Sequence, residues 1–287
     1  MTQNVDMQGK TGPRALERRM GDWMRAWLPH GLAEFVMFGL KMGWACLFAG
    51  LMLGAIIVTA LVWPDGARVA RYDFLVVYAI TIQVVFLTLK LESWSEAKVI
   101  LLFHVTGTVM EIFKLKMGSW SYPEPGLLKL MGVPLFSGFL YASVGSFMAR
   151  VIRLFDMKFV QYPPFWLTVL LAVAIYLNFF THHYIWDMRY ILFVATMGVY
   201  WRTRIYFTPF GARLWMPLVL AAVLSSLFLY LAENIGTLTG TWLYSGAAEF
   251  SFTSMAKIGS WYLLLFVSFM QVTLVYREAL EPYKREK

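Results

Sequence analysis

From residue 42 to residue 63 the chain carries no charged side chain at all. A helix rises about 1.5 Å per residue, so roughly 20 such residues cross the ~30 Å hydrocarbon core of a bilayer. Seven further apolar stretches follow, at approximately 72–89, 97–116, 130–149, 163–181, 187–204, 214–233 and 257–276. Hydrophobic residues make up 59% of the chain and charged residues 15%, against about a quarter charged in soluble domains. A chain so composed cannot cover its apolar surface with charge, and the expected fold is an all-α polytopic transmembrane bundle of about eight spans. The first apolar run starts late and is too long for a cleavable signal peptide.

The basic residues choose an orientation. With the N-terminus inside, 18 of the 25 Lys and Arg fall on the cytoplasmic side. The seven outside are Arg68, Arg71, Lys114, Lys116, Lys129, Arg189 and Lys257. This bias predicts a bacterial inner-membrane protein with both termini cytoplasmic. The net charge of +8 then reflects loops held against anionic lipid rather than nucleic-acid binding. In residues 14–28, Leu16, Met20, Trp23 and Trp27 recur at helical spacing with arginines on the other face, which predicts an interfacial helix. The single cysteine, Cys46, excludes an internal disulfide and a cysteine metal cluster.

A repeat is visible. Glu111, Gly118, Trp120 and Tyr122 match Glu233, Gly240, Trp242 and Tyr244 at a constant offset of 122 residues, and Ser146-Phe147-Met148 matches Ser268-Phe269-Met270 at the same offset. A second Gly-Ser-Trp at 259–261 offers a competing register that extends no further. The 122 offset predicts two four-helix halves, 41–153 and 154–276, between a cytoplasmic tail (1–40) and a short one (277–287). Because each half has an even number of spans, the halves run parallel, related by an axis along the membrane normal.

An intramembrane carboxylate costs about 2.5–3.5 kcal/mol at a span centre and marks function by default. Glu111 and Glu233 are therefore the candidate acid–base pair, with His104 two turns before Glu111 on nearly the same face. Ser226, Tyr230 and Glu233 form the corresponding stripe in the second half. Trp120, Tyr122, Trp242 and Tyr244 are candidate substrate-binding residues. A structural reading competes: Glu111 pairs with Lys114 or Lys116, His104 bonds to backbone, and the aromatic residues form an interfacial belt. In the loop 178–190, His182, His183 and Asp187 have ligand-type side chains, but adjacent helical histidines point about 100° apart. Interfacial histidines beside an Asp187–Arg189 pair are the expected arrangement. Nothing in the sequence calls for a metal, a cofactor or a nucleotide.

The stretches VMEIFKLKMGSWSYPEPG and LMGVPLFSGFLYASVGSF resemble the uncharacterised bacterial integral-membrane family catalogued as the eight-hundred-and-seventeenth domain of unknown function. That resemblance covers nearly the whole chain and implies no activity. More distantly, the same stretch is similar to membrane carotenoid hydratases and the bacterial lycopene cyclase domain, at Gly118, Trp120, Tyr122, Gly132, Val133 and Pro134. The cyclase pattern continues with paired glutamates, implied to be catalytic, where this chain has Leu135-Phe136-Ser137 and Lys257-Ile258-Gly259. The departure argues against cyclisation. It leaves hydration or isomerisation of a polyisoprenoid or carotenoid-like lipid as one expectation. A proton-coupled carrier, or a non-catalytic membrane subunit, stands as the alternative. The partners expected are membrane lipid and a hydrophobic small molecule, with the oligomeric state unspecified.

Overall fold

The computed structural model describes residues 27–64, 66–246 and 251–280. Apart from Trp27 and Leu28, the interfacial helix expected at 14–28 lies outside the described residues, as does the tail beyond 280. Every apolar run of the sequence becomes a helix. In chain order these are α1 (His30–Ala45), α2 (Leu47–Val62), α3 (Arg71–Thr88), α4 (Trp94–Lys116), α5 (Phe136–Leu154), α6 (Phe165–Thr181), α7 (Arg189–Tyr200), α8 (Leu218–Leu238) and α9 (Ala256–Val275).

Three of them, α3, α8 and α9, are long and apolar enough to cross a bilayer, and the bent pair α1–α2 makes a fourth. The expected count of eight full-length spans is therefore not reproduced. The 42–63 run, which reads as one span, is broken at Cys46, where the helix turns by 65°. The break has a partner, since Arg150 donates to the Trp44 carbonyl at 3.3 Å, and side chains that enter the helical ladder are a common cause of kinks. Helix α7, with 12 residues, is only about 18 Å long.

The fold is also not purely helical. The ends of two expected spans are strands. Lys129–Leu130 (β2) pairs with Val133–Pro134 (β3) around Met131 and Gly132, both at positive φ, the geometry of a two-residue hairpin turn. Lys158–Val160 (β4), Arg204–Phe207 (β5) and Leu214–Pro217 (β6) form a three-stranded antiparallel sheet. At Leu214–Pro217 the proline at position 217 ends the strand and sits at the N-cap of α8, where its fixed φ suits entry into a helix. The remaining strands, Trp120–Ser121 (β1) and Leu243–Tyr244 (β7), pair with each other.

The outward faces of the bundle are apolar. Leu61, Leu170, Val194 and Phe228 are all more than half exposed, a distribution that suits lipid and would be an aggregation hazard in water. Inside, α5 packs closely on α4. One hydrophobic cluster gathers Phe103, Phe155, Phe159, Tyr200 and Phe266, and another Phe48, Met52, Tyr72, Phe86 and Phe136. Helix α4 opens with a capping box, in which Ser93 and Glu96 bond each other's backbone N–H groups.

Toward the end of the bundle where the three-stranded sheet lies, Glu92 and Arg150 form an ion pair at 2.7 Å with neither side chain exposed. Ser146 donates to the same carboxylate at 2.9 Å, Gln83 donates to its other oxygen, and the Arg150 guanidinium lies 4.9 Å from the Phe86 ring centre. The pair ties the α3–α4 connection to α5 and to the α1–α2 bend. Removing one partner of such a pair strands the other charge, at a cost of about 3–5 kcal/mol, whereas replacing both by apolar residues is often near neutral. Arg150→Met alone is expected to lower the unfolding temperature of the detergent-solubilised protein strongly. Adding Glu92→Leu should restore most of the loss.

Candidate functional site

The site begins with the way two helices stop. At the end of α4, Gly118 adopts φ +65°, and at the end of α8, Gly240 adopts φ +64°. Gly118 N donates to the Leu115 carbonyl and Ser119 N to the Lys114 carbonyl; Gly240 N and Thr241 N repeat the pattern on Thr237 and Gly236. This is the helix stop that requires a left-handed residue, which glycine supplies without a Cβ penalty. The chain is thereby folded back over the last turns of its own helix, bringing the tryptophan two residues on and the tyrosine four residues on within reach of the glutamate seven residues before.

The hydrogen bonds follow. Trp120 Nε1 and Tyr122 Oη both donate to Glu111 Oε2 at 2.8 Å. Trp242 Nε1 and Tyr244 Oη donate to Glu233 Oε1 at 2.8 and 2.6 Å. Both carboxyl groups are buried, and each receives an indole and a phenol from its own segment. The Tyr122 and Tyr244 phenols are pushed well above the ordinary range, by desolvation first and then by the neighbouring carboxylate charge. They therefore stay protonated and serve as donors.

The two segments meet directly. Trp120 faces Tyr244 and Ser121 faces Leu243 across the antiparallel β1–β7 ladder, and the Trp120 and Tyr244 rings pack edge to face at 5.7 Å. Ser245 N extends the ladder to the Ser119 carbonyl at 3.2 Å, and Ser245 Oγ donates to the Gly118 carbonyl. The start of α3 anchors both from behind. Arg71 donates to Thr241 and pairs with Glu124, Tyr72 donates to the Thr241 carbonyl, and Asp73 accepts the Leu127 and Leu128 N–H groups.

Between the segments lies a cavity of about 270 Å³, lined by both glutamates and by Trp120, Tyr122, Trp242 and Tyr244. Six of the seven residues singled out from the sequence thus share one chamber. His104 does not line it; the imidazole packs 4.7 Å from Phe139, and its Nδ1 is buried without a hydrogen-bond partner, as are Thr108 Oγ1 and Ser137 Oγ. Ser226 and Tyr230 also stay out of it, bonding to the Val223 and Thr253 carbonyls.

Three further lining residues, Tyr141, Lys257 and Lys114, are not among the site residues expected from the sequence. Tyr141 reaches from α5 and donates to Glu111 Oε1 at 2.7 Å, passing over Gly107, where a Cβ would lie 2.6 Å from its ring. Its counterpart at the 122 offset is Leu263, so no phenol reaches Glu233 Oε2, and among the described residues nothing donates to that oxygen. Lys257 places its ammonium 3.6 Å from the Tyr244 ring centre. Lys114 does not pair with Glu111. It donates to Nε2 of His182 at 3.2 Å and of His183 at 2.9 Å. An ammonium can only donate, so both imidazoles are neutral with the proton on Nδ1. His182 Nδ1 accordingly donates to the Asn178 carbonyl at 2.8 Å.

The adjacent histidines converge because the chain leaves the helix at His182, and their rings lie 4.2 Å apart. Desolvation pushes Asp187 up, but the Asn178 amide, the Arg189 N–H and the Arg189 guanidinium at 3.1 Å together hold it below the ordinary carboxylate range.

The chain matches the family described as Protein of unknown function (DUF817) over residues 34–269. It is 40% identical over 242 residues to the uncharacterized protein YoaT of Bacillus subtilis (strain 168), a match that covers 84% of this chain and 91% of that protein. It belongs to the DUF817 family. No solved structure matches it significantly.

The turn geometry makes Gly240→Ala a direct probe. A Cβ in the left-handed region costs about 1–2 kcal/mol, so this variant should unfold at lower temperature with altered tryptophan emission. A pH dependence follows as well. Burial, then the Lys114 charge, depresses the His183 pKa below 6.5, and burial does the same for His182. A group with a depressed folded pKa contributes stability above its unfolded value and loses it as pH falls through the folded one. Thermal stability should therefore decline as pH drops below about 6.5, and the decline should be shallower in the His182→Gln/His183→Gln variant.

Proposed function

We propose that the chain is a polytopic inner-membrane enzyme that performs acid–base chemistry, hydration or isomerisation, on a polyisoprenoid or carotenoid-like lipid. In this reading residues 41–153 and 154–276 are equivalent halves in parallel orientation, with both termini cytoplasmic. Support for the halves comes from the identical helix stops and the matched indole and phenol donors at Glu111 and Glu233. Support for the orientation comes from Arg153, Lys158, Arg204 and Arg213, which gather on and around the three-stranded sheet.

The observation that carries the chemistry is the unequal dressing of two carboxyl groups in one cavity. Glu111 accepts three donors spread over both oxygens, which suits a fixed negative charge. Glu233 accepts both of its donors on Oε1, leaving Oε2 to exchange a proton with a bound molecule. In a hydration, the Glu233 carboxyl would protonate one carbon of a double bond. Water would add to the resulting cation, and the proton that water then loses would restore Glu233. Carboxyl groups kept from water suit the role of acid, and the faces of Trp120, Tyr122, Trp242 and Tyr244 suit a carbocation.

The test compares lipid extracts from membranes carrying the wild-type chain, Glu233→Gln and Glu111→Gln, by mass spectrometry. Wild-type membranes should contain a polyisoprenoid product, one water heavier than its precursor or isomeric with it. Glu233→Gln should lack it entirely, and Glu111→Gln should reduce it by about 10²-fold or more. Identical profiles in all three would overturn the reading.

A further inference from the structure

Two buried or half-buried ammonium groups, Lys114 and Lys257, line the cavity. Lys114 is 5% exposed, and its ammonium is hydrogen-bonded to two neutral imidazoles. Lys257 lies against the Tyr244 ring, with Trp120 at 5.9 Å. Among the described residues neither has a carboxylate at ion-pair distance, although Glu111 and Glu233 line the same space. Arg189, the third cation of the lining, is paired with Asp187. An ammonium has three donors, and Lys114 spends two on His182 and His183. A buried cation is costly without a nearby counter-charge, and among the described residues Glu233 acts on Lys257, and Asp187 on Lys114, only from beyond ion-pair distance, which leaves contact donors on both for an anion. Away from the cations the wall is apolar, with Leu53, Leu140, Val144, Leu229 and Leu264.

We infer that this cavity binds an amphiphile with an oxyanion head, a carboxylate or a phosphate, seated on Lys114 and Lys257 with its hydrocarbon chain along the leucine-rich wall. The inference rests on the cavity being the ligand site of the preceding section and narrows its substrate class. Lysine acts as a point charge that suits either oxyanion, and the indole and phenol faces beside it suit the first carbons of the chain. His182 and His183 are positioning residues. They hold the Lys114 ammonium toward the cavity without contributing charge.

The full chain, purified in an uncharged maltoside detergent, is titrated with dodecyl phosphate, dodecanoate, dodecanol and inorganic phosphate. Tryptophan emission reports binding, since Trp120, Trp242 and Trp261 line the cavity. Saturable binding is expected for dodecyl phosphate or dodecanoate, and inorganic phosphate should bind at least about tenfold more weakly than the better of them. Lys257→Met should weaken binding about tenfold, the loss of one charge-assisted hydrogen bond. Lys114→Met should do the same, and Lys114→Arg should retain most of the affinity.

Dodecanol binding as well as the anions would overturn the inference, and so would an unchanged affinity in Lys257→Met. Inorganic phosphate binding as tightly as dodecyl phosphate would overturn the amphiphile and leave a free-oxyanion site. Glu233→Gln should retain or strengthen anion binding, because it removes a negative charge from the cavity. Anion binding together with an unchanged lipid profile in Glu233→Gln would sink the acid–base reading alone. A changed profile with no anion preference would sink this inference alone.

Discussion

Burying a carboxyl group among apolar helices is costly unless donors meet it, and this chain buries two, Glu111 and Glu233. Much of the architecture at that end of the bundle follows from meeting the requirement. Each helix carrying a glutamate must stop within two turns and fold back, which the left-handed glycines at 118 and 240 accomplish. Each returning segment must present an indole and a phenol, and the alternation of a short strand puts Trp and Tyr on the same side. The two returning segments then have unpaired backbone edges, which they satisfy against each other in the β1–β7 ladder. The cavity is what remains between two self-capped helix ends that meet edge to edge.

Differences between the two glutamate-bearing helix ends give the chamber its chemical character. Tyr141 completes the shell of Glu111, whereas the corresponding position is Leu263. At the 122-residue offset Lys257 aligns with Leu135, and Lys114 with Gly236. That last exchange is steric as well as electrical, because the Trp242 ring lies so close to Gly236 that a Cβ there would be 1.9 Å from it. At the end of α4, Lys114 is instead drawn to the two imidazoles. One carboxyl group thus has both oxygens bonded, the other has an oxygen that no donor among the described residues reaches, and two ammonium groups face the same space.

The glutamates and their aromatic partners were legible in the sequence because tryptophan is rare and the 122-residue offset recurs at four chemically distinctive positions. The match of Gly118 with Gly240 is legible in the sequence, but the left-handed helix stop that both supply is not. Tyr141 was not. A tyrosine in an apolar run looks the same whether it faces lipid or a carboxylate, and the gap at Gly107 that admits it is visible only once α4 and α5 are packed. Lys114 read as a candidate partner for Glu111 because it lies three residues away, and the competing histidines come from a loop 68 residues on. Helical periodicity puts His104 on the face of Glu111, but periodicity fixes a face and not the neighbour, and that face meets α5. The break at Cys46 was hidden for a similar reason, since the run is apolar throughout and the group that supports the bend, Arg150, lies more than 100 residues away. The strands at 129–134 and 214–217 replaced expected helix because hydropathy alone does not separate a short strand from the end of a span.

The two glutamate-bearing helix ends dock through their returning strands, so that both carboxyl groups share one cavity. Paired cysteines test it most directly. With Cys46→Ala as background, Ser121→Cys and Leu243→Cys place the two thiols at facing positions of the β1–β7 ladder. Mild oxidation in native membranes should link them within one chain, giving a faster-migrating band that reductant abolishes, while Ser121→Cys with Leu61→Cys should give none. Failure of the 121–243 pair to cross-link, in protein that is folded and membrane-inserted, would mean that the two helix ends do not meet through these strands.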